Sequence, residues 1–92
     1  MNDVTTIRLL TGEEIIGRFV REDDKGITLD RPVMLGATQK GMGFLPVCIS
    51  IDDSSEFTYK HIHVMFSAKT RQEIVDAYIK ATTGIQLASS FN

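Results

Sequence analysis

Apolar and polar side chains alternate along much of the chain, and this period of two predicts a protein built mainly of β-strands. The alternation is clearest over residues 14–22, where Ile15 and Phe19 share one face and Ile16 and Val20 share the other. Because both faces carry large apolar residues, we expect both sides of this strand to be covered. One side would face the interior of a curled sheet, and the other a second element.

Gly17 lies in the interior of the same strand. A missing side chain at such a position marks a kink or the close approach of another backbone segment, and a curled sheet needs such a point. An ordinary bulge in an ordinary hairpin is the alternative interpretation. Pro32, in the next strand, cannot donate a ladder hydrogen bond, so that strand is predicted to be bulged or at an edge there.

Runs of β-branched and aromatic residues, separated by turn residues, predict the other strands. The predicted strands are 4–10, 14–22, 27–34, 44–51 and 57–66, the last with a break near Lys60. Turns are predicted at 11–12, 23–26 and 52–55, and the glycine-rich segment 36–43 is predicted as a flexible loop. A small, strongly bent barrel of about five antiparallel strands accommodates this order.

The C-terminal part has the period of a helix. Thr70 and Glu73 have the spacing of a capping box, and Gly84 suits a C-terminal stop, which predicts a helix over 70–83. Its apolar stripe is formed by Ile74, Val75, Tyr78 and Ile79. We expect this stripe to cover the open face of the barrel (4–66), with 85–92 as a short tail, so that residues 1–92 form one domain.

Composition narrows the class of protein. The chain has 92 residues, 42% of them hydrophobic and 24% charged, as in globular domains. No apolar run is long enough to cross a bilayer and no signal peptide is recognisable, so we expect a cytoplasmic protein with no membrane partner. The single Cys48 agrees with a reducing compartment. A net charge of -2 argues against a strong non-specific grip on phosphate backbones.

Candidate catalytic and metal-binding motifs are weak. Lys40 precedes Gly41 in the segment 36–43 and no helix follows, so this segment is not a phosphate-binding P-loop. His61 and His63 would share a face of a strand, but nothing fixes a third or fourth metal ligand near them. The sequence therefore predicts no metal, no cofactor and no enzyme activity, since a paired acid and base and a nucleophile motif are also missing.

The stretch around the bent strand resembles the first motif of the Sm and Sm-like (LSm) proteins, over about a quarter of the chain. The matching residues are Gly12, Ile15, Gly17, Phe19, Asp23 and Leu29. The chain looks like a phage-type member, similar to the small Sm-like proteins of marine cyanophages. The resemblance implies a bent Sm-like barrel that closes into a ring of about five to seven copies and binds single-stranded RNA.

Two departures from the family pattern concern its RNA pocket. Gly26 and Ile27 stand where the family has Met-Asn, whose Asn contacts a base, and the turn is about one residue shorter. Residues 60–64 lack the Arg-Gly pair of the second motif. The usual pocket is therefore not carried over, and among the residues of its loops Asp23 alone matches.

The sequence leaves two functions open. In the first, long apolar fourth and last strands join identical copies head-to-tail into a ring that binds RNA or single-stranded DNA, in phage RNA processing or replication. In the second, the ring is a protein-interaction scaffold that has lost RNA binding, as the missing Asn and Arg-Gly favour. The predicted nucleic-acid contacts are Asp23, Lys25, Gly26, Lys60 and His61.

Overall fold

The computed structural model describes residues 3–52 and 55–83, which form one antiparallel sheet and a C-terminal helix. The predicted class, mainly β with a C-terminal helix, is confirmed. The strands are β1 (Val4–Leu9), β2 (Glu14–Asp23), β3 (Gly26–Thr38), β4 (Gly41–Pro46), β5 (Glu56–Tyr59) and β6 (Val64–Lys69). A 3-10 turn at His61–His63 joins β5 to β6, and the helix α1 spans Gln72–Thr83.

The strand order is β4-β3-β2-β1-β6, with β5 pairing along the first part of β3. The sheet curls strongly but it is not a closed barrel, which corrects the predicted barrel. In the described residues β5 and β6 form no ladder with each other, since β5 pairs with β3 and β6 pairs with β1. The 3-10 turn between them interrupts the extended backbone. The predicted break near Lys60 is thus confirmed, and it divides the predicted fifth strand into two.

The bend lies where β2 and β3 cross the middle of the sheet. The β2–β3 register shifts between Ile16 and Arg18, and on β3 the residue Arg31 has φ of 49°, which is uncommon for a side chain with a Cβ. A Cβ on Gly17 would lie 2.9 Å from the Leu29 Cβ and 3.2 Å from the Pro32 Cα. The predicted close approach of another backbone segment at Gly17 and the predicted bulge near Pro32 are therefore confirmed, and they coincide. The register shift is also of the kind that the alternative interpretation, a bulge, predicts.

The two faces of the sheet bury two separate clusters. The helix-facing core is formed by Val4, Ile16, Phe44 and Tyr78, with Val33, Leu35, Ile74 and Val75 packed against it. The sheet-enclosed core is formed by Ile7, Ile15, Ile27 and Leu29, with Leu9, Met34, Val47, Tyr59 and Val64 around it. Consecutive residues Ile15 and Ile16 belong to opposite cores, as the alternation along β2 predicts.

Tyr78 anchors α1 to the sheet. Its ring meets Phe44 edge to face, with centroids 6.3 Å apart, and the Arg18 guanidinium lies 5.8 Å from the ring centroid. The predicted capping box does not form as expected, because the Thr70 hydroxyl is 2.8 Å from the Thr6 hydroxyl and the helix begins at Gln72. The predicted stop at Gly84 and the tail 85–92 lie outside the described residues.

Two further boundaries differ from prediction. The segment 36–43 is a tight hairpin between β3 and β4, in which the Thr38 hydroxyl donates to the Gly41 carbonyl oxygen at 2.7 Å. Ladder pairing and this turn bond outweigh the flexibility that its glycines suggest. The predicted fourth strand ends at Pro46 rather than at residue 51. The sheet has six strands instead of five because the break near Lys60 divides the predicted last strand.

Candidate nucleic-acid interface

The β2–β3 turn and the end of β5 lie against each other, and Gly26 is the point of contact. Ile27 pairs with Tyr59 across the ladder, and this register brings Gly26 beside the peptide bond between Tyr59 and Lys60. A Cβ on Gly26 would lie 2.3 Å from the Tyr59 carbonyl oxygen, and its φ of +144° is one that other residues rarely adopt. Gly26 therefore contributes to the site by allowing two backbones to approach.

His61 fastens the same two segments together. Its Nε2 lies 2.8 Å from the Asp23 carbonyl oxygen, and since a carbonyl only accepts, Nε2 carries the proton in this bond. Its Nδ1 lies 3.9 Å from a carboxylate oxygen of Glu22. Both ring nitrogens thus face the β2–β3 turn, and His61 positions the neighbouring Lys60 rather than offering a free hydrogen-bonding edge.

Asp23 holds the turn in shape through its carboxylate. One oxygen accepts the backbone N–H of Lys25 at 2.9 Å, an arrangement typical of aspartate in turns. The other lies 3.6 Å from Arg21 Nε. Both carboxylate oxygens of Asp23, a predicted contact residue, therefore interact with neighbouring residues of the same hairpin.

Lys25 and Lys60 differ from these neighbours. Within residues 3–52 and 55–83, neither ammonium group lies within 4.0 Å of a carboxylate. Both are exposed and line one shallow depression of ≈ 570 Å³. Its other walls are Asp24, Thr58, His61 and Ile62. Among the described residues, two cations without a carboxylate partner therefore share one depression, which Asp24 also lines.

The acidic residues beside the depression are mostly engaged with basic ones. Arg21 lies 3.6 Å from Asp23 and 3.9 Å from Glu56, and Glu22 faces His61. These exposed pairs contribute little to stability. The single Arg21 guanidinium offsets only part of the charge of Asp23 and Glu56, and Asp24 lines the depression itself, so carboxylate charge remains beside the two lysines.

All the predicted contact residues lie in this one region: Asp23, Lys25 and Gly26 in the turn, and Lys60 and His61 after β5. Their roles differ. Lys25 and Lys60 carry charges that no carboxylate of the described residues pairs, whereas Asp23, Gly26 and His61 fix the backbone of the turn against the end of β5. Sequence reasoning missed Thr58 and Ile62 as walls of the depression. The long-range pairing of β3 with β5 places them there, and no local pattern in the sequence reports that register.

On one side the sheet ends at β4 and, along the first part of β3, at β5, and on the other side it ends at β6. Both edges expose large apolar side chains. Met42 on β4 is 46% exposed, and Met65 and Phe66 on β6 are 54% and 49% exposed. Unpaired strand edges with apolar residues are typical surfaces for pairing with another chain.

The described residues hold neither a metal-binding cluster nor a helix that could span a membrane. In the described part of the chain, no three His, Cys, Asp or Glu residues are placed to hold a metal ion. His61 and His63 belong to a 3-10 turn, so the prediction that they share a strand face is wrong. Over residues 3–52 and 55–83, no helix has the length and apolar character needed to cross a bilayer.

Comparison with known proteins gives no assignment. No protein-family model matches the chain, and no curated protein matches it significantly in sequence. The Sm-like resemblance and the phage origin therefore stay predictions.

Proposed function

We propose that this protein is a non-enzymatic, Sm-like nucleic-acid-binding protein. Identical copies would assemble into a ring, and each would bind RNA or single-stranded DNA through Lys25 and Lys60. The observation that supports this proposal is the pair of lysines in one exposed depression, neither of them paired with a carboxylate of the described residues. Ammonium groups in such a position release counterions when they bind phosphates, which drives association.

Assembly follows from the geometry of the edges. Pairing β4 of one subunit with β6 of the next would cover Met42, Met65 and Phe66, and it would satisfy the outer backbone groups of both strands. Such a contact is head-to-tail, and it forms a ring where the rotation between neighbours closes. The Sm-like resemblance implies about five to seven subunits. Repetition around the ring turns weak binding by each lysine pair into useful avidity.

Fluorescence anisotropy with labelled octamers of RNA and of single-stranded DNA, measured over a range of salt concentrations, tests the binding proposal. We expect the association constant to fall as the salt concentration rises. The logarithm of the association constant, plotted against the logarithm of the salt concentration, should have a slope of roughly -0.7 for each phosphate contacted. Lys25→Ala and Lys60→Ala should each flatten that slope. Lys80→Ala, which removes the same charge from the exposed face of α1, is the matched control and should leave the slope unchanged.

Two results would count against the proposal. The first is no binding at tens of micromolar ring concentration at low salt. The second is an equal loss of slope in all three lysine variants, since this would indicate a diffuse response to net charge rather than a site.

The scaffold function is the second candidate, and one observation favours it. Asp24 lines the depression and Glu22 and Asp23 precede it in the chain, so these three consecutive carboxylates outnumber Lys25 and Lys60. A protein partner with basic residues would complement such a surface. A ring that persists in solution and binds none of the octamers would support this function over the first.

A further inference from the structure

The imidazole ring of His61 lines the depression that contains Lys25 and Lys60, and the fold fixes where its protons lie. Nε2 lies 2.8 Å from the Asp23 carbonyl oxygen, which only accepts, so Nε2 carries a proton whether the ring is neutral or charged. In the neutral ring Nδ1 is then the nitrogen without a proton. When His61 becomes charged, the added proton consequently goes to Nδ1.

Nδ1 faces a carboxylate. It lies 3.9 Å from a carboxylate oxygen of Glu22, on β2. An unprotonated Nδ1 and a carboxylate oxygen are both acceptors, so they form no hydrogen bond, whereas a protonated Nδ1 is a donor and makes an ion pair with Glu22. Because the two side chains are 46% and 52% exposed, this pair adds little to stability. What protonation changes is the charge beside the two lysines.

The charged and titratable groups around His61 belong to β2 with its turn and to the segment that carries His61 itself. They are Glu22, Asp23, Asp24 and Lys25, with Lys60 and His63. Ordinary carboxylates and lysines keep one charge state between about pH 5.5 and 7.5, whereas histidine changes its charge there. The chain has two histidines, and His63 does not line the depression. His61 is therefore the group through which pH acts on the depression.

The charge of the lining changes sizeably with this one proton. Lys25 and Lys60 are positive and Asp24 is negative, which gives the lining a net charge of +1, and a charged His61 raises it to +2. In water, one added unit charge roughly 7 Å from a phosphate corresponds to about a threefold gain in affinity. The gain is largest at low salt, since all these groups are exposed.

We infer that His61 is a proton-dependent third cation of this depression, so that the protein binds single-stranded nucleic acid more tightly as the pH falls from 7.5 to 5.5. This inference rests on the proposed nucleic-acid function and adds to it the regulation of the same site. Linkage requires the converse as well: because protonation favours binding, binding favours protonation. Association near the middle of this pH range therefore takes up protons from the buffer.

Fluorescence anisotropy with labelled octauridylate and octathymidylate at low salt, at pH 5.5, 6.5 and 7.5, tests the inference. We expect the association constant of the wild type to be at least about threefold larger at pH 5.5 than at pH 7.5. His61→Gln keeps an amide donor for the Asp23 carbonyl oxygen but does not titrate, so the rise should be lost. His63→Gln, the matched control in the same 3-10 turn, should keep the rise.

Nuclear magnetic resonance of the imidazole nitrogens gives a readout that does not depend on a ligand. At pH 7.5 we expect neutral His61 as the tautomer protonated at Nε2, because of the bond to Asp23. The pH at which its ring becomes charged should match the midpoint of the binding curve.

Binding that is equal at the three pH values would overturn the inference while leaving the proposed function intact. The inference would also fail if His61→Gln kept the rise, if His63→Gln lost it, or if neutral His61 carried its proton on Nδ1. If neither octamer binds at any of the three pH values, the proposed function and the regulation by His61 both fail.

Discussion

The hydroxyl oxygen of Tyr78, on α1, lies 2.7 Å from the carbonyl oxygen of Arg31, at the kink of β3. It is also 3.1 Å from the Asp30 carbonyl oxygen. In the opposite direction, Arg31 donates from its guanidinium to the Thr82 carbonyl oxygen near the end of α1, at 3.3 Å. The helix and the kink therefore satisfy each other's polar groups, so that docking of α1 stabilises the bend of the sheet.

Tyr78→Phe tests this connection. The variant keeps the ring in the helix-facing core but leaves the Arg31 carbonyl without its side-chain donor, so we expect the free energy of unfolding to fall by about 1–3 kcal/mol. Urea denaturation followed by circular dichroism measures it. Tyr59→Phe is the matched control: it removes a buried hydroxyl that has no partner in the described residues, and stability should stay equal or rise. A larger loss in the free energy of unfolding for Tyr59→Phe than for Tyr78→Phe would contradict this account.

Stability should decline at alkaline pH. Burial raises the pKa of Tyr59 and of Tyr78 to about 12, from 10.0. Between those values the unfolded chain loses the phenolic protons while the folded chain keeps them, so the folded state is disfavoured as pH rises from 10 to 12. Thermal unfolding across this range measures the decline. Tyr78→Phe should make it shallower, and an equally steep decline in that variant would exclude Tyr78 as a cause.

The close approach at Gly17 gives a third prediction. An Ala there would bring its Cβ to 2.9 Å from the Leu29 Cβ and 3.2 Å from the Asp30 carbonyl oxygen, so backbone has to move. We expect Gly17→Ala to lower the free energy of unfolding by about 1–3 kcal/mol. In Gly36→Ala the nearest atom is the mobile end of the Leu45 side chain, which makes this variant the control, with a smaller loss. Equal losses would show that the kink is not tightly packed.

Local patterns predicted the parts of the fold that depend on local chemistry. The interior Gly17 and the donor-less Pro32 each predicted an irregularity, and the two occur at one bend. The apolar stripe containing Tyr78 predicted the helix and its buried face, because a period of 3.6 places those side chains together.

Pairing between distant segments was less predictable. Glycines in 36–43 suggested a loop, yet β3 and β4 pair as far as Thr38 and Gly41. The apolar run after Pro46 suggested strand, but Ile49 is 94% exposed and lies outside the ladder. Thr58 lines the depression that contains Lys25 and Lys60 because of the β3–β5 register, which depends on the whole sheet.

Native mass spectrometry of the purified protein tests the central claim, that free β4 and β6 edges join identical copies into a ring. We expect one assembly of about five to seven subunits, without a series of larger species, since a closed ring has no free edge to which further copies could add. Phe66→Glu on β6 should release monomers, whereas Ile49→Glu, outside the sheet, should leave the assembly intact. A wild-type protein that stays a lone subunit at micromolar concentration would contradict the account.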